Sequence, residues 1–296
     1  KEFSSNIDAA LYEFENIPID TAKLIEKMTK LRPSSFILSI SQDRLLEKTF
    51  LTNKAGVKTA SFFPVSNIKD LLSSIDLLNG IGVLKTRRFG YDGKGQIKID
   101  NETDIEAAFK SLNNEELILE EYVPFKRELS VIIARDYKGN IEVYDCVENK
   151  HKNHILDLTI APANNLDKII SNSAKSIAIK IATNLDLIGL LAIELFELND
   201  QDLLVNEIAP RPHNSGHWTM DGCITDQFEQ AARAALGMNL GSVKRVFNVE
   251  MKNLIGKDIE LATKYLNKSN YRIHLYGKKE VREGRKMGHI NKIIKL

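Results

Sequence analysis

The sequence predicts an α+β or α/β fold built from mostly antiparallel sheets, and three observations carry that expectation. Helix-like and strand-like segments mix without a long strand–helix–strand series. Alternating apolar segments are joined by polar turns at 136–140 and 199–202, the mark of hairpins. The chain has 296 residues and shows no internal repeat, which suits two or three packed units.

Taken in order, residues 20–31 carry Ala22, Leu24, Ile25 and Met28 at helical spacing, with Pro33 beyond. The short apolar run 36–40 reads as a strand. Residues 43–55 read as an amphipathic helix with Leu45, Leu46, Phe50 and Leu51 inward and Gly56 as its stop. A strand at 59–65 and a helix at 67–78 follow. Residues 82–85, the glycine-rich stretch 90–96 and residues 97–99 read as strand, loop, strand. A helix at 105–112 leads to a strand at 117–123, ended by Pro124. Residues 128–134 and 141–147 alternate as a hairpin, 172–183 is a helix, and 190–198 and 203–207 are strands. The last clear element is a helix at 225–236, closed by Gly237.

Composition excludes several classes of function. Lys and Arg total 41 against 40 Asp and Glu, a net charge of +1, so no electrostatic case exists for nucleic-acid binding. No apolar run approaches the roughly 20 residues of a membrane span, and no secretory signal is visible. Cys146 and Cys223 stand far apart, which argues against a disulfide framework or zinc site and for a reducing, cytoplasmic setting.

Five stretches carry chemistry. Glu194 and Glu207 each sit in an apolar strand, where an acid is costly unless something positive meets it. Each alone reads as a sheet-edge residue or a partner of lysine. Together, beside Asn206, they suit a hard cation such as Mg²⁺, with Mn²⁺ as the alternative. Lys85 before the glycine loop suits phosphate oxygens, although an ordinary tight turn explains the loop equally well and neither common phosphate-loop template matches. Residues 120–123 offer extended backbone to an adenine edge and Glu128 a carboxylate to ribose hydroxyls; a solvated acidic edge is the plainer explanation. Residues 206–219 crowd Arg211, His213, Asn214, Ser215 and His217 near Ile208 and Trp218, a density that favours a ligand pocket. In residues 278–286 five of nine side chains are cationic, as a solvated turn or a substrate-phosphate site would be.

Together these stretches resemble the ATP-grasp superfamily, and within it the N5-carboxyaminoimidazole ribonucleotide synthetase family. Residues 206–219 are similar to that family's NE-x-APR-x-HNSGHWT signature. Residues 91–96 resemble its YDG-[RK]-GQ loop and residues 12–16 its YEFEN segment. Residues 42–44 and 279–286 resemble two further motifs, so the likeness spans almost the whole chain. Glu283 stands where the family usually has Pro, and Pro212 where it often has Val. The family also carries a glycine-rich βαβ segment before YEFEN that this sequence lacks. Because the chain opens at Lys1 rather than Met, we expect an amino-terminal piece to be missing from the sequence.

The resemblance implies an ATP-dependent ligase that joins bicarbonate to aminoimidazole ribonucleotide through carboxyphosphate, in purine synthesis. It implies that ATP meets Arg44, Lys85, Gly90, Tyr91, Asp92, Gly93, Lys94, Gly95, Gln96, Glu120, Glu121, Tyr122, Val123, Glu128, His151, Asn206 and Glu207. Glu194 and Glu207 would hold the metal. The ribonucleotide would meet Tyr12, Glu13, Tyr91, Asp92, Lys94, Arg211, His213, Asn214, Lys279, Arg285 and Lys286. Lys85, Arg211 and Glu207 would serve catalysis. Residues 1–52 would be the remnant of a substrate domain, 53–119 a lid, and 120–296 the large domain with its basic end. The family suggests a homodimer. The rivals are an ATP-grasp ligase for another acid or amine and a non-catalytic ATP-binding subunit.

Overall fold

The computed structural model describes residues 2–90, 93–112, 116–199 and 201–296. In the amino-terminal part, α1 (Glu2–Ser5) and β1 (Ala9–Ala10) precede α2 (Ile19–Glu26), and β2 (Lys30–Leu31) pairs in parallel with β1. Ala10, Tyr12, Ala22, Leu31 and Leu38 form its apolar cluster.

Two helices then depart from the sequence reading. Residues 36–40, expected as a strand, lie inside helix α3 (Ser35–Ser41). Ser34 caps it by accepting from the Ile37 amide, and Ile37, Leu38 and Ile40 turn inward while Phe36 stays exposed. A five-residue apolar run fits either period, and the cap decides. Helix α4 (Arg44–Asn53) forms where expected, capped by the Asp43 carboxylate. Its inner face is different. Leu46 is 48% exposed, and Glu47 and Lys48 are buried beside Phe50 and Leu51. The helix turns two charges inward, a burial that needs a partner for each.

The small sheet consists of β3 (Phe62–Val65), β4 (Gly82–Thr86), β5 (Gln96–Ile99) and β6 (Leu117–Glu121), in the order β3-β6-β4-β5 and antiparallel throughout. Helices α5 (Ile68–Leu77) and α6 (Ile105–Ser111) supply Leu71, Ile75 and Ala108 to its core. The hairpin β4–β5 carries the glycine loop.

The large sheet begins with β7 (Arg127–Arg135), β8 (Ile141–Val143), β9 (Val147–Lys152) and β10 (Ile155–Ala161). The single strand expected at 141–147 is therefore two pieces. After α7 (Lys168–Asn184) come β11 (Gly189–Glu197) and β12 (Leu203–Ala209). Helices α8 (Thr219–Gly222) and α9 (Gln227–Leu236) lead to β13 (Asn248–Ile255), α10 (Leu261–Tyr265), β14 (Tyr271–Leu275) and β15 (Lys286–Ile294). The order is β12-β11-β7-β9-β10-β13-β15-β14, with β8 beside β7. Strands β9, β10 and β13 to β15 extend the sheet beyond what the sequence reading anticipated.

Alternation divides the core. Leu129, Val131 and Ile133 of β7 join Leu191, Ile193 and Leu195 of β11 under α7 and α4. Ile132 and Ala134 join Leu190 and Ala192 on the opposite face, with Trp218 and Ala231. Among the described residues no helix is long and apolar enough to cross a membrane, and both cysteines are buried thiols.

Candidate functional site

Register builds the centre of the site. In the antiparallel pair β11–β12, Glu194 lies directly opposite Glu207, and a bulge follows between Glu194 and Leu195. Directly opposed residues share a face at close range. Both are half-buried among Ile193, Leu195, Val205 and Ile208. The consequence is electrostatic: burial, and then the neighbouring Glu207 charge, push the Glu194 carboxyl up to about 8. Glu47 stands behind the pair, where its Oε1 accepts from the Ile208 amide at 2.7 Å. Its carboxyl is pushed well above the usual range by burial and by Glu207. Carboxylates crowded this closely take up either protons or a cation. Among the described residues no group of three or more His, Cys, Asp or Glu side chains is arranged to hold a metal ion. The donor set is instead two carboxylates, which fits a hard cation that completes its shell with phosphate oxygens and water.

Facing this acidic centre is a lysine pair. Lys85 Nζ on β4 lies 2.9 Å from Glu120 Oε2, and Lys48 Nζ lies 3.4 Å from the same oxygen. Lys48 also donates to the Asn206 carbonyl at 2.7 Å, which ties α4 to the strand that bears Glu207. Burial pushes the Glu120 carboxyl up, but the two lysines outweigh it and hold its pKa at about 2. Glu120 is thus the anchor of Lys85 and Lys48. Strand β6 is flanked by β3 and β4, so the backbone of Glu120 and Glu121 lies within the sheet. The Glu121 amide donates to the Ser61 carbonyl and its carboxylate accepts from the Ser61 hydroxyl. The exposed edge narrows to Tyr122 and Val123, past the last strand residue, with Tyr122 exposed and Val123 buried. Glu128, on β7, pairs with His151 across to β9. Burial pulls the His151 ring down, yet that pairing holds its pKa above the ordinary value.

The glycine loop closes in around the guanidinium of Arg44, which donates to the Thr86 carbonyl at 3.0 Å. A Cβ on Gly90 would lie 2.7 Å from Arg44 Nη1, so a larger residue there would displace the guanidinium. Gly95 sits at φ 72°, with Thr86 Oγ1 2.7 Å from where its Cβ would be. Gly93 packs on His154, in the turn between β9 and β10, so the tip of the small-sheet hairpin touches the large sheet. Lys94 is exposed and Gln96 opens β5. Tyr91 and Asp92, expected to meet both ATP and substrate, lie outside the described residues.

The loop after β12 brings Arg211, His213 and Asn214 to the acidic centre. Arg211 Nη2 lies 3.2 Å from Glu15 Oε2, and His213 Nε2 lies 3.4 Å from Glu194 Oε1. Burial, Arg211 and Lys286 drive the His213 pKa well below its ordinary value, which places the basic carboxy-terminal segment near this loop. Asn214 buries both amide atoms without a partner among the described residues, a cost that a polar ligand removes. Tyr12 is buried in the amino-terminal cluster with its hydroxyl likewise unpartnered. Arg285 is half-buried and donates to the Glu280 carbonyl. Glu13 and Lys279 are exposed, and among the described residues no hydrogen bond or ion pair ties either to the centre. Sequence reasoning missed Glu15, Glu47 and Lys48. Their signal was faint: an acid two residues beyond the expected pair Tyr12 and Glu13, and two charges on a helix face assumed to be wet.

Carboxylates on adjacent strands, a lysine on an opposing small sheet and a glycine hairpin bridging the two define an ATP-grasp ligase. Residues 50–228 match the family model described as the ATP-grasp domain. Residues 250–295 match the phosphoribosylaminoimidazole carboxylase C-terminal domain. The chain belongs to the N5-carboxyaminoimidazole ribonucleotide synthase family. It is 44% identical over 294 residues to the synthase of that name from Brucella melitensis, covering 99% of this chain and 81% of that protein. It superposes on the ADP complex of an N5-carboxyaminoimidazole ribonucleotide synthetase with a TM-score of 0.94 and 40% identity, over 99% of this chain and 77% of the other. A synthase from Aspergillus clavatus, in complex with ADP and 5-aminoimidazole ribonucleotide, matches with a TM-score of 0.92 and 28% identity, over 100% of this chain and 78% of the other.

Proposed function

We propose that this chain uses ATP and bicarbonate to carboxylate the exocyclic amine of 5-aminoimidazole ribonucleotide, and that Glu194 and Glu207 hold Mg²⁺ for the reaction. The observation that carries the reading is the direct pairing of these two acids, with His213 Nε2 3.4 Å from Glu194 Oε1. A bicarbonate oxygen attacks the γ-phosphorus, and the bond from that phosphorus to the bridging oxygen breaks to release ADP. The resulting carboxyphosphate is attacked at carbon by the amine nitrogen. The carbon–oxygen bond to phosphate breaks, phosphate leaves, and the amine loses a proton.

Phosphoryl transfer needs position and neutralised charge more than covalent help. Lys85, fixed by Glu120, and Arg211, fixed by Glu15, supply positive charge. Glu194 and Glu207 would hold Mg²⁺, which would supply neutralising charge to the phosphate oxygens. The glycine hairpin keeps the anhydride from water. Exposed Lys279 and half-buried Arg285 and Lys286 suit the ribonucleotide phosphate. Homodimeric assembly and a cytoplasmic setting belong to the same reading on family likeness alone.

The test is ADP release measured with the ribonucleotide and bicarbonate each omitted in turn. Release that needs both supports the proposal. Release indifferent to the ribonucleotide overturns it.

A further inference from the structure

A hydrogen-bonded chain runs through the interior of the large sheet to the His213 ring, whose far nitrogen lies near the acidic pair. The Thr159 hydroxyl donates to Asn149 Oδ1 at 2.9 Å. Asn149 Nδ2 donates to Ser130 Oγ at 2.9 Å, and Ser130 Oγ lies 2.8 Å from Ser215 Oγ. Ser215 Oγ lies 2.8 Å from His213 Nδ1, and the far nitrogen of that ring faces Glu194 Oε1 at 3.4 Å. Thr159, Asn149, Ser130 and Ser215 are all buried. Register puts them in line, because Asn149 lies opposite Thr159 and Ser130 lies opposite Glu194.

Such a chain has two polarities. A hydroxyl has one hydrogen to give, and an amide can present either end. One group in the chain cannot reverse. The backbone amide of Ser215 donates to His213 Nδ1 at 3.3 Å. A ring nitrogen that accepts carries no hydrogen. The Ser215 hydroxyl must then donate to Nδ1, Ser130 to Ser215, and Asn149 must turn its NH₂ toward Ser130. The ring hydrogen is left on Nε2, the nitrogen 3.4 Å from Glu194 Oε1. Gln227 holds the backbone in place from the other side: its Oε1 accepts from the His213 amide and its Nε2 donates to the His213 carbonyl, both at 2.8 Å.

We propose that Thr159, Asn149, Ser130 and Ser215 are positioning residues that fix His213 as its Nε2–H tautomer, with the ring N–H on the nitrogen nearest Glu194. The role rests on the metal-holding reading of Glu194 given above. An N–H near the carboxylate biases its lone pairs toward the cation, as partners behind a ligand commonly do.

The ring is read directly by ¹⁵N spectra of the full chain labelled at histidine, with His213 assigned from the spectrum of His213→Gln. The wild type shows its hydrogen on Nε2. Ser215→Ala removes the hydroxyl that donates to Nδ1 and lowers the ratio of Nε2–H to Nδ1–H about fivefold, the worth of one net hydrogen bond. Thr159→Val keeps the volume and shifts the ratio the same way by less, and Thr159→Ser restores it. In turnover, Ser215→Ala lowers kcat about tenfold while the KM for ATP holds within about twofold. A wild-type ring with its hydrogen on Nδ1 overturns the proposal, and so does an unchanged ratio in Ser215→Ala or in Thr159→Val. These spectra need no substrate, so failure of ribonucleotide-driven ADP release would strike the function and not the relay.

Discussion

At the scale of single residues, the acids divide by what faces them. Glu194 and Glu47 face Glu207 and are pushed toward their protonated forms, whereas Glu120 faces two lysines and is held ionised. The Glu120 pKa of about 2 lies below its ordinary 4.5, so the pairing contributes stability above about pH 4.5 and loses it as pH falls toward 2. The contribution is about 3 kcal/mol, and Glu120→Gln, which also strands two buried lysines, should cost that much near neutrality. Urea melts of both proteins at a series of pH values should show the difference shrinking below about pH 4.5. A difference constant down to pH 3 would contradict the assigned pairing. Glu194 and Glu207 were legible in the sequence because an acid in an apolar strand is an anomaly. Glu47 and Lys48 were not, because a charged helix face reads as solvated until something is found to bury it.

At the scale of elements, long alternating strands and capped helices declared themselves, and short or internally polar ones did not. Strands β7 and β11 were visible as apolar strand-like runs, and α5 as the helix expected at 67–78. Residues 36–40 were too few to show a period. Strand β15 hid because two of its buried positions are His289 and Asn291. The glycine hairpin was legible as a loop, but what it touches was not. The structure makes its glycines testable. Ala at position 95 would have to adopt φ near 72° and place a Cβ 2.7 Å from Thr86 Oγ1. The left-handed backbone alone costs about 1 kcal/mol. Gly95→Ala should lower the unfolding free energy by about 1–2 kcal/mol and raise the KM for ATP more than that for the ribonucleotide. Steady-state kinetics with each substrate varied separately would check this. Equal effects on both would argue against a nucleotide role for the hairpin.

At the scale of the whole molecule, nucleotide binding should depend on two sheets that the sequence showed only as separate pieces. Lys85 comes from the small sheet and Glu194 and Glu207 from the large one, with Lys48 of α4 bonded to both Glu120 and the strand of Glu207. A ligand that bridges the sheets binds the folded chain and not the unfolded one, so it raises stability by mass action, by about 2.7 kcal/mol at a hundred times its Kd. If the opposed carboxylates couple the triphosphate to the large sheet through a divalent cation, most of that gain needs the cation. ATP with Mg²⁺ should raise the Tm by several degrees, and ATP with a chelator by clearly less. Glu207→Gln should keep the small rise and lose the cation-dependent part, while its Tm without ligand stays at or above the wild-type value, because one of two crowded acids has become neutral. Calorimetry on the full chain measures each protein without ligand, with ATP and Mg²⁺, and with ATP and a chelator. A cation-dependent rise that survives intact in Glu207→Gln would separate the metal from this carboxylate and leave the pairing with Glu194 without a role in catalysis.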